Sequence, residues 1–341
     1  MNRPNLFHFA TSELSQDAVL AWLLAWADSR YKNLDTDLHG LGVRFLSALL
    51  ALHEKKSVTD GPMTIRVKMQ ACRVDVIAEI NSEIILAIED KTGTCSHQGN
   101  YEAIELLKNE HMNREILAIY LKTGDQASYA EALSHGFKPF LRDRLIALLR
   151  EDEALIVRNN IVGDFCAVLE ERETSVQAWR VEPVTKWVKN SPPWVGLFQA
   201  LQKEFTDLHW AYVPNAHGGF MGAWWNWKPL KQVAGAQLYL QISQGPLQFR
   251  ASGLKKADNC IPLCQGVALR LLEMGSGHNL AIQKTHLHRG ETMGIAEIGQ
   301  SGWIAVKSDG LMDLARTLDN LRMAATLLEA VLTNGESLPT G

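Results

Sequence analysis

The sequence predicts an α/β protein: a mixed sheet flanked by helices in its first half, and an α+β domain in its second. Between about residues 63 and 122, the apolar pattern changes from helical spacing to the alternating or continuous runs of strands. Beyond about residue 195, several strand-like segments lie between helical ones. Hydrophobic residues make up 46% of the 341 positions, which is enough to bury a core in each half.

The first half follows the order helix, helix, strands, helix, strand. Thr11 or Ser12 is placed to cap the first helix, whose apolar residues recur every three to four positions. Asn81 and Ser82 have the chemistry of a tight turn between two strands. The predicted elements are helices over 12–27 and 40–53, strands over 63–69, 73–80 and 84–88, a helix over 96–108, a strand over 115–122 and helical segments over 126–175.

A group of chain-breaking residues, Asn190-Ser191-Pro192-Pro193, predicts a domain boundary near 175–195. We therefore expect one domain over 1–180 and an accessory α+β domain over 190–341. Gln244-Gly245-Pro246 predicts a hairpin turn in the second domain. Its predicted elements are a helix over 195–208, strands over 219–227, 237–243 and 247–252, and helices over 267–274 and 311–332.

Charge and aromatic residues are unevenly distributed. Positions 1–180 hold 26 acidic and 20 basic residues, whereas positions 181–256 hold 3 acidic and 8 basic residues and six of the ten tryptophans. Such a segment either stacks bases or a ligand on its surface or fills the core of its domain with aromatic rings. Strict alternation would place Trp225 and Trp227 on one face of a strand and Trp224 on the other.

The composition also limits the location of the protein. No apolar run reaches the roughly 18 residues of a membrane helix, and the sequence shows no cleavable signal peptide. Five scattered cysteines favour the reducing cytoplasm over a disulfide framework. A net charge of −4 excludes a protein that coats nucleic acid by charge alone.

The chemically most informative residues are Asp75, Glu89 and Lys91. If the turn is centred on Ser82, Asp75 lies directly opposite Glu89, with the two Cβ atoms about 5 Å apart. Lys91 shares their face and Asp90 points the other way. Two opposed carboxylates repel unless a cation such as a hard divalent metal lies between them. A salt-bridged surface hairpin is the alternative, but the charges follow an apolar run and so favour a site.

This pattern, Asp75-x13-Glu89-x-Lys91 on a hairpin framed by helices, resembles the PD-(D/E)XK nuclease superfamily. The early Ser-Glu-Leu segment containing Glu13 resembles the start of bacterial members. Gln98 resembles the glutamine that the family carries on the helix after the lysine. The resemblance covers roughly residues 5–130, and the proline in the family's name is replaced here by valine.

The resemblance implies a restriction-endonuclease-like fold and specific roles for these residues. Asp75 and Glu89 would be metal ligands, the main-chain carbonyl of Asp90 would be a third, and Lys91 would orient or activate the attacking water. Glu13 would bind the metal directly or through water, or hold Lys91; its alternative role is that of an acid favouring a helix N-terminus. Gln98 would hydrogen-bond the water or Lys91, or is a solvated helix residue.

The function implied is metal-dependent hydrolysis of DNA phosphodiester bonds, by an endonuclease rather than an exonuclease. Mg²⁺ would be the cofactor, with Mn²⁺ able to substitute. The resemblance also points to defence against phage or mobile elements, to a homodimer and to an activating partner or ligand. Two alternatives stay open: a nuclease-fold binding or sensor module whose Trp-rich half binds a ligand or nucleic acid, and an enzyme acting on RNA with the same site.

Overall fold

The computed structural model describes residues 4–93, 98–215, 218–254, 260–278, 280–288 and 290–333, and of Gln98 only the backbone. The chain divides into two compact units, Met1–Thr174 and Ser175–Gly341. Among the described helices, none combines the length and apolar character needed to cross a membrane.

The first unit contains a five-stranded mixed sheet and helices on both of its faces. Its strands are β1 (Ile65–Ala71), β2 (Val74–Ile80), β3 (Ile84–Lys91), β4 (Glu115–Lys122) and β5 (Lys138–Leu141). Its helices are α1 (Glu13–Trp26), α2 (Thr36–Ala51), α3 (Gln98–Glu110), α4 (Ala130–Ser134), α5 (Arg142–Arg150), α6 (Glu153–Arg158) and α7 (Asn160–Gln177), whose last residues pass into the second unit.

The strands of this sheet lie in the order β1-β2-β3-β4-β5. β1, β2 and β3 are antiparallel neighbours, whereas β4 and β5 run parallel to β3. One apolar layer joins the strands to α1 and α2, and a second joins them to α3. The predicted mixed α/β core is confirmed, and β3, buried along its whole length, is its centre.

The hairpin of β2 and β3 has the register that the sequence predicts. Ile80 pairs with Ile84 and Val76 with Ile88, so that every paired set is centred on Ser82. Asn81 and Ser82 both have positive φ angles, 49° and 61°, which turn residues with short polar side chains tolerate. The register therefore brings Asp75 opposite Glu89.

Residues 126–175 are predicted to be helical, but part of this interval is a strand. Residues Lys138–Leu141 form the short edge strand β5, parallel to β4. Four residues that include a proline show no alternation, and Pro139 is tolerated because an edge strand leaves one side of its backbone unpaired. Phe140 of this strand packs into the apolar layer shared with α1 and α2.

The second unit is built on a six-stranded antiparallel sheet with the order β10-β11-β9-β8-β7-β6. Its strands are β6 (His209–Val213), β7 (Phe220–Pro229), β8 (Gln237–Ile242), β9 (Leu247–Ser252), β10 (Ile282–Lys284) and β11 (Met293–Ile298). Its helices are α8 (Pro192–Glu204), α9 (Ile261–Ser276), α10 (Gln300–Trp303) and α11 (Leu314–Thr333). The turn between β8 and β9 is confirmed, whereas β6, β10 and β11 were not predicted.

Strict alternation gives the wrong faces for the tryptophans of β7. Asn226 has a positive φ angle of 57°, and the pairing with β8 shifts between Trp225 and Lys228. This bulge inserts one extra residue and reverses the faces of the positions that follow it. Trp225 is therefore 1% exposed in the core, whereas Trp227 is 37% exposed and stacks on Tyr239 on the same face as Trp224.

Candidate active site

The predicted carboxylates and lysine meet where β2 begins and β3 ends. Asp75 is the second residue of β2, and Glu89 and Lys91 are close to the end of β3 on the same face. Lys91 Nζ lies 3.2 Å from Asp75 Oδ2 and 3.0 Å from the main-chain oxygen of Asp90, and it also contacts Glu89 Oε1. The three oxygen groups assigned to a metal by resemblance thus converge on one point.

Lys91 provides the positive charge between the two carboxylates. From the sequence we expect a metal in this place, but the ammonium contacts both carboxylates and so relieves their repulsion. Asp75 Oδ2 also accepts a hydrogen bond of 2.9 Å from the backbone N–H of Asp90, which ties the start of β2 to the end of β3. The Asp75 side chain is 19% exposed and that of Glu89 only 2%, so solvent reaches this group from the Asp75 side.

Burial and charge alter the protonation of this face. Burial raises the pKa of Glu89 to about 7, against the opposing effect of the Lys91 ammonium. Burial alone would lower the pKa of Lys91, but its hydrogen bonds and attraction to Glu89 and Asp75 raise it above its usual value. Lys91 is therefore a permanent cation and hydrogen-bond donor at neutral pH, and Glu89 gains or loses its proton near neutrality.

The opposite face of β3 carries a different acidic pair. Asp90 points toward α1, where Gln16 donates a 2.6 Å hydrogen bond to its Oδ1. The second oxygen, Oδ2, and Oδ1 of Asp17 have no hydrogen-bond partner among the described residues, and the two carboxyl groups lie close enough for each to shift the pKa of the other. Burial first, and then mutual repulsion, raise the pKa of Asp90 well above its usual range. We interpret the pair as two carboxyl groups that share a proton.

Glu13 and Gln98 have different outcomes. Glu13 begins α1, and its Oε1 accepts a 2.8 Å hydrogen bond from the backbone N–H of Thr92, the residue after Lys91. It therefore lies at the same end of β3, and its role toward a metal or Lys91 stays a prediction. Gln98 begins α3, but its side chain lies outside the described residues.

The structure adds groups that the sequence argument missed. Asn100 on α3 donates a 2.5 Å hydrogen bond to Glu89 Oε1. Lys122 on β4 is fully buried and is the register partner of Lys91. Gln16 links Asp90 to the hydroxyl of Thr123, which donates 2.8 Å to Gln16 Oε1. The one indication of Asn100 in the sequence is that it lies two positions beyond Gln98, the predicted site residue.

The donor set fits a hard divalent cation. Carboxylate and carbonyl oxygens are the ligands that Mg²⁺ prefers, and a protein usually supplies one or two carboxylates to it. Among the described residues, no three His, Cys, Asp or Glu side chains are grouped as a metal site. This does not conflict with the candidate set, because its third oxygen belongs to the main chain of Asp90.

Comparisons with known proteins give no relative. No family model matches the chain, and neither a curated protein nor a solved structure matches it.

Proposed function

We propose that the protein is a metal-dependent nuclease with a restriction-endonuclease-like first unit, and that it hydrolyses DNA phosphodiester bonds. The observation that carries the proposal is the convergence of Asp75, Glu89, the Asp90 carbonyl and Lys91 at the end of the central strand. A non-catalytic descendant has no need to keep these groups together, so their contact favours an enzyme over a binding module.

The two carboxylates and the carbonyl would hold Mg²⁺, with Mn²⁺ as a substitute. Bound there, the metal would lower the pKa of a water molecule and neutralise charge on the phosphate. Glu89 must lose its proton to serve as a ligand, and its pKa of about 7 makes this possible at neutral pH.

Lys91 supplies the positive charge that phosphoryl transfer needs. Its raised pKa argues against the role of a general base, since the ammonium does not give up its proton at neutral pH. It would instead hydrogen-bond the attacking water and the phosphoryl oxygen on which negative charge develops. The ammonium contacts both carboxylates, so it lies next to the oxygens that would hold the metal.

A cleavage assay tests the proposal. Wild type and Lys91→Ala are incubated with supercoiled plasmid, linear duplex, single-stranded DNA and RNA, each with Mg²⁺, Mn²⁺ or EDTA. We expect wild type to cut DNA only with a metal, and Lys91→Ala to be at least about 100-fold slower, as for the loss of a charge-stabilising group. Lys68→Ala is the matched control, because that exposed lysine pairs with Glu79 on the same sheet.

Two results would contradict the proposal. One is a well-folded wild type that binds neither Mg²⁺ nor Mn²⁺. The other is cleavage that continues unchanged in Lys91→Ala or in EDTA. Preference for RNA would keep the chemistry and replace the substrate.

A further inference from the structure

The sheet of the second unit has one face packed by helices. The indole N–H of Trp210 donates a hydrogen bond to Gln202 of α8, and Gly275 of α9 lies against Ile282. Lys228 forms an ion pair with Glu329 of α11. Strand pairing places these three sheet residues on the same side. These three helices therefore contact one face of the sheet, and the exposed ring of Trp227 lies on the other face.

This second face, here called the open face, combines aromatic rings with polar side chains. The members that matter are Trp224, Trp227, Tyr239, Gln241, Gln248 and Arg250. They lie on three neighbouring strands and are joined by hydrogen bonds from Arg250 to Tyr239 (3.1 Å) and to Gln248 (3.1 Å). A solvated sheet face usually carries isolated polar residues, so connected aromatic groups there need a reason.

Trp227 has the geometry of a stacking platform. Its ring lies parallel to that of Tyr239, with centroids 4.0 Å apart and planes 11° apart. Tyr239 is held in turn by Arg250. One face of the indole is thus supported by a fixed ring, and the side chain stays 37% exposed. The supported ring can receive a flat ligand on its other face at a small cost in side-chain entropy.

Trp224 forms a second aromatic position on the adjacent part of the sheet. It pairs across β7 and β8 with Gln241, so Tyr239 is its diagonal neighbour, about 7–8 Å away. His209 packs beside it with a ring separation of 5.3 Å. Gly222 lies next to both Phe220 and Trp224, where a Cβ atom would come within 2.9 Å of the Phe220 ring. The absent side chain lets these two rings lie close over the backbone.

The charge of the open face favours an anionic ligand. The Arg250 guanidinium donates hydrogen bonds to the neutral Tyr239 hydroxyl and Gln248 amide, and among the described residues it forms no ion pair. Its guanidinium therefore keeps an uncompensated charge beside the aromatic rings. Glu297 lies at the far end of this network, bonded to Gln248. The segment 181–256 as a whole carries 8 basic and 3 acidic residues.

We propose that the open face binds single-stranded DNA, with bases stacked on Trp227 and Trp224 and a backbone phosphate at Arg250. Flat π-faces accept any unpaired base, and a guanidinium donates hydrogen bonds to a phosphate. A duplex does not offer its base faces. The choice of DNA over RNA rests on the proposed nuclease function, whereas the binding surface itself does not.

The test measures binding without cleavage. Full-length protein is titrated against fluorescein-labelled dT20 in EDTA, and fluorescence anisotropy gives the dissociation constant. We expect Trp227→Leu to weaken binding about 5- to 100-fold, because the ring is lost while apolar bulk remains. Trp227→Phe should stay within about threefold of wild type. Arg250→Gln should weaken binding and reduce the slope of log affinity against log salt by about one.

Phe9→Leu is the matched control, since Phe9 is 78% exposed and lies in the first unit. It should bind dT20 as wild type does. The proposal is overturned if Trp227→Leu binds like wild type, if a blunt 20-base-pair duplex binds as tightly as dT20, or if rU20 binds tenfold more tightly than dT20. Binding of dT20 by a protein that binds neither Mg²⁺ nor Mn²⁺ would contradict the nuclease and support this surface. Metal-dependent cleavage without dT20 binding would support the nuclease and contradict this surface.

Discussion

The two faces of β3 carry acidic residues at its end but balance their charge in opposite ways. On the face toward α3, Asp75 and Glu89 share the ammonium of Lys91. On the face toward α1, Asp17 and Asp90 contact each other, and among the described residues neither forms an ion pair. The first arrangement keeps charge available for a cation or a phosphate. In the second, burial and mutual repulsion raise the pKa of both carboxyl groups and so favour a shared proton over two charges.

The face of β3 that carries Glu89 and Lys91, together with Asp75 of β2, is here called the lysine face. The largest expected effect follows from removing a carboxylate on this face. Asp75→Asn keeps the size of the side chain but removes a ligand charge, and it should lower metal-dependent cleavage by at least about 100-fold. Cleavage of plasmid under saturating Mg²⁺ measures it. Glu79→Gln, four residues further along the same face of β2, is the control, because Glu79 pairs with Lys68 and Arg114 instead. Equal activity of Asp75→Asn and wild type would show that this face is only a salt-bridged hairpin.

The same face should show pH-dependent metal binding. Because Glu89 has a pKa of about 7 in the metal-free protein, protons compete with the metal for its carboxylate below that pH. Mg²⁺ affinity should therefore be constant above pH 7. Below pH 7 it should fall about tenfold for each pH unit, as far as the pH at which the protein begins to unfold. Isothermal titration calorimetry between pH 5.5 and 8.5, values chosen to span that pKa of about 7, measures the change. An affinity that is constant across this interval would contradict the role of Glu89 as a ligand.

On the other face, removing a charge should stabilise the protein. Folding raises the pKa of Asp17 because the side chain is buried, so its contribution to stability is present below its unfolded value and lost as pH rises. Asp17→Asn can accept the hydrogen bond from Gln70 and donate one to Asp90. We expect a gain of about 1–3 kcal/mol in the free energy of unfolding at pH 8, shrinking to nothing below about pH 4.

Urea denaturation in EDTA measures this gain. Asp60→Asn, at an exposed position of the same unit, is the control and should change stability by less than about 0.5 kcal/mol. A loss of stability at pH 8 in Asp17→Asn would mean that the pair holds its charge in another way. Opposite outcomes for Asp75→Asn and Asp17→Asn are what separates the two faces.

The lysine face could be predicted from the sequence because its parts are local. One turn at Asn81 and Ser82 sets the register of β2 and β3, and alternation then fixes the faces of Asp75, Glu89 and Asp90. The acidic pair could not be predicted, since Asp17 belongs to α1, and the sequence does not give the rotation and depth at which a helix packs on a sheet. Asn100 on α3 was missed for the same reason.

Other errors come from short or irregular elements. The edge strand β5 has four residues and takes its pairing from β4, so its own sequence carries little signal. In β7 a single residue, Asn226, reverses the faces of the positions that follow it. The fold of the first unit was therefore more predictable than the surface of the second, where one bulge decides that Trp227 is exposed.

The smallest expected effect concerns Asn100 of α3. It shows whether Asn100 positions the Glu89 carboxylate or only supports the packing of α3. Asn100 donates a hydrogen bond to Glu89 Oε1, which stabilises the ionised carboxylate. Asn100→Ala should raise the pKa of Glu89 and move the midpoint of Mg²⁺ binding about one pH unit upward. Affinity at pH 9 should recover to near the wild-type value, because the carboxylate is then ionised in both proteins. Asn109→Ala, at an exposed position of the same helix, should leave the midpoint unchanged. A uniform loss of affinity at every pH would show that Asn100 only supports the packing of α3.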